Sequence, residues 1–105
     1  NMGDTVIKIT SVPEMLNILR GLKAEIRQRY KADIKGVFGP YVRGEQKAGS
    51  DIDVLVEFDE GANLLDLTGL SLFLEEKLNS RVDIVPESAI RSEIKDSILK
   101  EAAYL

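Results

Sequence analysis

The stretch Gly36–Val37–Phe38–Gly39–Pro40–Tyr41–Val42–Arg43–Gly44, followed after a polar segment by Ser50–Asp51–Ile52–Asp53–Val54–Leu55–Val56–Glu57–Phe58, decides how this chain is read. In the second half, the even positions Ile52, Val54, Val56 and Phe58 are all apolar. A strand sends alternate side chains to opposite faces, so Asp51 to Phe58 is the clearest strand in the protein. Asp51, Asp53, Leu55 and Glu57 then share its other face. In the first half, a short strand from Ile34 to Phe38 runs into a turn marked by Gly39. Pro40 to Arg43 reads as one helical turn ended by Gly44, and Glu45 to Ser50 as a loop.

Working outward, a helix is predicted from about Val12 to Lys31. Ser11 and Glu14 have the form of a capping box, and Pro13 suits a first turn. Met15, Ile18, Leu19, Leu22 and Ile26 recur at helical spacing. Val6 to Ile9 reads either as a short strand or as an extended arm. After the central strand, Asn63 begins a helix reaching about Asn79, whose apolar stripe is Leu67, Leu70, Leu74 and Leu78. Val82 to Val85 is a short strand ended by Pro86. A last helix, about Ser92 to Ala103, is expected to bury Ile94, Ile98 and Leu99, with surface apolar residues that leave an oligomer open. Tyr30, Tyr41 and Tyr104 read as partly buried. The elements suit an α+β (α/β-like) fold, a small mixed β-sheet with helices packed on one face.

The chain has 105 residues, with 44% hydrophobic and 30% charged. That predicts a single domain over residues 12–105, preceded by an arm over 1–11 in which Asn1, ahead of Met2, reads as an expression remnant. Eighteen acidic residues against 14 basic ones give a net charge of −4, which argues against general nucleic-acid binding. There is no cysteine and no histidine, so a metal would be held by oxygen ligands, as Mg²⁺ or Mn²⁺ are. No apolar run approaches the roughly 18 residues of a membrane span, and the start lacks a signal peptide's pattern. The expected setting is cytoplasmic, with no membrane partner.

Asp51 and Asp53 lie at i and i+2 on a strand, so their carboxylates point the same way and repel unless a cation or a proton intervenes. Asp83 lies between Val82 and Ile84, and the same alternation puts it on the polar face of its own strand. If the two strands are neighbours, three carboxylates converge. Such a trio suits two Mg²⁺ ions about 4 Å apart, one activating an acceptor hydroxyl for in-line attack and one binding triphosphate oxygens. A lone Asp-x-Asp reads more readily as solvated acids at the mouth of a strand. The Gly39 turn strengthens the site reading, since glycine lets a phosphate approach backbone amides. Arg43 can add a bidentate charge to the same phosphates, or pair on the surface with Glu45 or another acid.

These stretches, with Arg81–Val82–Asp83–Ile84–Val85 and the closing Ile98–Leu99–Lys100–Glu101–Ala102–Ala103–Tyr104–Leu105, resemble the minimal nucleotidyltransferase family of the DNA polymerase β-like nucleotidyltransferase superfamily. The resemblance runs from the first helix onward and implies that superfamily's fold. It implies that Asp51 and Asp53 are ligands shared by two metals, and that Asp83 is the third acid, serving the metal that activates the acceptor. Gly39, Pro40, Arg43 and Ser50 fall at the nucleotide-binding positions. It further implies an antitoxin that transfers AMP from ATP to a tyrosine of a partner, a HEPN-domain ribonuclease toxin.

The chain departs from the family at one place, having Gly39–Pro40 where Gly-Ser is usual. Proline offers neither a hydroxyl nor an N–H. A lost hydrogen bond to a charged phosphate is worth roughly 1.5–3 kcal/mol, which in the transition state slows the reaction by one to two orders of magnitude. Weakened activity is expected. The shortness of the chain favours a protein acceptor over a small molecule, which would need a lobe of its own. The alternatives are a module that neutralises its partner by binding alone and a structural subunit with solvated acids.

Overall fold

The computed structural model describes residues 11–105. The arm and the Val6–Ile9 reading therefore lie outside the described residues, apart from Ser11. The elements are α1 (Val12–Tyr30), β1 (Ala32–Phe38), α2 (Pro40–Arg43), β2 (Ile52–Phe58), α3 (Leu64–Leu78), β3 (Val82–Pro86), a single 3-10 turn (Glu87–Ala89), α4 (Ser92–Glu101) and β4 (Ala103–Tyr104).

Local chemistry sets the ends of the long helices. Ser11 Oγ accepts the Glu14 N–H at 3.3 Å and donates to Glu14 Oε1 at 2.8 Å. Asn63 and Asp66 form a reciprocal capping box at the start of α3, each side chain accepting the other's backbone N–H. Both helices stop at a left-handed residue, Lys31 at φ 55° and Asn79 at φ 49°. These two are the non-glycine residues with positive φ among the described residues, and a single residue in that region suffices to end a helix.

The sheet order is β3-β2-β1-β4. β1 runs antiparallel to β2 and to β4, while β3 runs parallel to β2. A parallel pair needs a long crossover, and α3 supplies it. The sheet is mixed, as the sequence predicts. On one face, Ile34, Val37, Ile52, Val54, Val56, Val82 and Ile84 pack against Met15, Leu19 and Ile26 of α1 and Leu70, Phe73, Leu74 and Leu78 of α3. Burying one such side chain stabilises by about 1.5–3 kcal/mol, so this layer supplies most of the driving force. Tyr30 and Tyr41 are partly buried against it.

Several expectations are corrected. α4 ends at Glu101, and Ala103–Tyr104 leaves it to pair with Gly36 and Val37 of β1. Ile94 is 50% exposed, and no residue of α4 is fully buried, because the core is already closed by α1 and α3. Leu55 is fully buried although it shares a strand face with the acids. Lys95 of α4 shares a polar cleft with Glu57 and Phe58, and Glu101 lies within electrostatic reach of Asp53. The helix thus borders the acid side of the sheet. Tyr104 is exposed, its hydroxyl donating to the Leu99 carbonyl at 2.5 Å. Among the described residues, no helix is long and apolar enough to cross a membrane.

Candidate active site

β2 and β3 are in register, so Asp53 and Asp83 are direct neighbours across the parallel pair. Both stand on the face away from the main core, because Val82, Ile84, Ile52 and Val54 take the core side. The β1 partner of Asp53 is Phe38, which places the carboxylate beside Gly39 at the start of the turn. The fit there is close. A Cβ on Gly39 would collide with Asp53 Oδ2 and lie 3.0 Å from Asp53 Cγ. Gly39 also has φ 86° and ψ −157°, which a side chain disfavours. Two independent requirements therefore meet at one glycine: the turn's conformation and room for the acid.

The acids interact. The Asp53 carboxyl is pushed up to about 6, first by burial and then by the charges of Asp83 and Asp51. Arg43 pulls in the opposite direction and Glu101 adds to the rise. A carboxylate raised in this way, with other acids beside it, is short of positive charge. An oxygen-only donor set with unrelieved repulsion fits a hard divalent cation.

Asp51 stands apart from the pair. It precedes β2, is half exposed, and its Oδ1 forms an ion pair with Arg81 Nε at 3.1 Å. Arg81 also donates through Nη2 to the Gly49 carbonyl at 2.6 Å, tying the loop to the start of β3. The expected three-way convergence is thus realised for Asp53 and Asp83. Among the described residues no three acidic side chains are drawn together closely enough to enclose a cation.

The nucleotide-side residues are placed as follows. Gly39 caps α2 and its carbonyl accepts the N–H groups of Val42 (3.1 Å) and Arg43 (3.2 Å). Pro40 occupies the first helical turn, where its missing N–H costs the helix nothing. Arg43 donates through Nε to Glu45 at 2.9 Å and through Nη1 to Glu101 at 2.6 Å. The surface-pair reading of Arg43 is the one seen, with Glu101 as a partner the sequence did not suggest. Ser50 is spent on its own loop, its hydroxyl accepting the Lys47 N–H at 2.8 Å. The polar cleft of Glu57, Phe58, Glu87, Ser88 and Lys95 lies at the other end of β2 and contains none of these residues.

Glu101 and Arg81 are the residues that sequence reasoning passed over. Glu101 is 58 positions from Arg43, and no local spacing links them. Arg81 was visible only as the residue before Val82–Asp83.

Comparison with known proteins shows the family and the fold. Residues 19–105 match the family model described as a nucleotidyltransferase domain. The chain is 42% identical over 95 residues to the protein adenylyltransferase MntA of Thermococcus cleftensis, covering 90% of this chain and 96% of that one. A solved structure described as a minimal nucleotidyltransferase aligns at TM-score 0.73 and 40% identity, over 88% of this chain and 94% of that one. A toxin–antitoxin structure with AMP-PNP shares the fold at TM-score 0.63 and 22% identity, over 88% of this chain and 69% of that one.

Proposed function

Because the chain belongs to the nucleotidyltransferase domain family, we propose that it is a protein adenylyltransferase, transferring AMP from ATP to a hydroxyl of a partner protein. The observation that carries this reading is the Asp53–Asp83 cross-strand pair, with Asp53 packed against Gly39. Its acceptor would be a tyrosine of a HEPN-domain ribonuclease toxin, which makes this chain the antitoxin. The name of the 42%-identical Thermococcus relative supports a protein as acceptor.

The residues divide the work. Asp53 and Asp83, with Asp51 as third acid, would hold Mg²⁺ or Mn²⁺. When bound, such ions supply charge for the triphosphate and lower the pKa of the acceptor hydroxyl. Gly39 leaves the space that the Asp53 carboxylate fills beside the turn, so the acid can stand where the phosphates would arrive. Arg43 offers a guanidinium within electrostatic reach of Asp53. Asp51 must exchange its contact with Arg81 to join the ligand set, a surface pair worth about 0–1 kcal/mol and therefore cheaply broken.

The test is incubation with labelled ATP, Mg²⁺ and the product of the adjacent gene. Label should pass to that protein and be lost with Asp53→Ala. Absence of transfer from the unaltered chain, with a tight complex still formed, would leave neutralisation by binding alone. Pro40 favours that second reading, because it removes a phosphate donor from the turn.

A further inference from the structure

Glu101 is placed by backbone rather than by side-chain chance. It is the last residue of α4, and within two residues the chain is pinned to β1 by pairing of Ala103 with Val37 and Tyr104 with Gly36. The Leu105 N–H adds a bond to the Lys35 carbonyl at 3.0 Å. Gly36 permits this approach, since a Cβ there would run into the Ala103 carbonyl. The result is a carboxylate 2.6 Å from Arg43 Nη1 and less exposed than its partner, 24% against 44%.

Arg43 sits on a four-residue helix with no buried residue of its own. Without a tether, a guanidinium on so short an element would be free to swing toward Asp53, whose charge it already senses. Glu45 holds Nε and Glu101 holds Nη1. Among the described residues, Nη2 donates to no side chain or carbonyl.

We propose that Glu101 is a positioning residue for the transfer site: it holds the Arg43 guanidinium beside the Asp53–Asp83 pair but off it, with Nη2 left for a nucleotide phosphate. This rests on the adenylyltransferase reading above. An exposed ion pair contributes little to folding, so its removal acts on nucleotide binding far more than on stability.

The experiment measures ATP binding by calorimetry in MgCl₂, with Tm and transfer kinetics alongside, for Glu101→Ala, Glu101→Gln, Arg43→Ala and the Arg43→Ala/Glu101→Ala double variant. Glu101→Ala should weaken ATP binding about tenfold, with Tm moved by less than about 3 °C. Glu101→Gln, which keeps a hydrogen bond and loses the charge, should recover part of the loss. In the Arg43→Ala background the Glu101 change should have no further effect. Unchanged or tighter ATP binding by Glu101→Ala, or losses that simply add in the double variant, would overturn the proposal. Should Glu101→Ala fail to fold, Glu101→Gln alone and over Arg43→Ala gives the same contrast. An unaltered chain that binds ATP but transfers nothing refutes the transfer reading while Glu101 is still judged by binding. One that binds no ATP refutes both.

Discussion

At the scale of single residues, Asp53 combines the largest electrostatic cost with the chemistry. Its carboxyl is raised to about 6 from an ordinary value of 3.8. A displacement of this size in a closed site is worth about 3 kcal/mol, and because Asp53 is partly open to solvent, screening reduces it to about 1 kcal/mol. The sign follows from proton counting. The folded state holds the proton more tightly than the unfolded chain, so this group lowers stability as pH rises from about 4 to 6, and the penalty is complete above 6. Asp53→Asn should therefore raise Tm at pH 7 by about 4 °C and change it little at pH 3.5, while abolishing transfer. Thermal melts at the two pH values check this, and equal gains at both would contradict it. Pro40→Ser restores a hydroxyl and an N–H to the turn. The expected outcome is a 10- to 100-fold rise in kcat/KM for ATP, the equivalent of about 1.5–3 kcal/mol. An unchanged rate would mean the phosphate takes no donor at position 40.

At the scale of elements, β4 matters more than its two residues suggest. It closes the β1 edge and brings α4 back to the turn that carries Arg43. Gly36→Ala places a methyl group against the Ala103 carbonyl, which cannot yield as a side-chain end would. The expected cost is about 1–3 kcal/mol, with faster hydrogen exchange at Leu105 than in β2, and weaker ATP binding through the displaced Glu101. Exchange unchanged at Leu105 would show that β4 shifts without loss. α3 illustrates how a leucine-rich helix divides its residues. Leu70, Leu74 and Leu78 are buried as the stripe predicts, Phe73 joins them, and Leu64, Leu65 and Leu72 remain exposed.

At the scale of the whole molecule, the acids form a site only because strands distant in sequence are neighbours. Net charge is −4, and Asp53 is destabilised by Asp83 and Asp51. A cation that binds the folded chain alone should raise its stability by RT ln(1 + [L]/Kd), about 2.7 kcal/mol at one hundred times Kd. Mg²⁺ or Mn²⁺ should thus raise Tm by about 8 °C or more at saturation, an effect removed by chelator and absent from Asp53→Ala. A Tm indifferent to both ions would count against the carboxylates as ligands.

The sequence by itself determined α1, α3, the alternation of β2, the Gly39 turn and the family to which these belong. Their signals come from residues a few positions apart: caps, a period of 3.6, a period of 2. It also placed Asp53 and Asp83 on polar strand faces, from alternation alone, while Asp51 falls just before its strand. Only the tertiary structure decided that Asp53 faces Asp83 while Asp51 turns to Arg81, since that depends on β2–β3 register and on loop geometry. It likewise decided that Leu55 is buried and Ile94 exposed, because burial depends on which faces other elements have already covered. The Arg43–Glu101 contact belongs wholly to this second class. It spans 58 residues and exists because β4 returns to β1, a long-range pairing that no local pattern encodes.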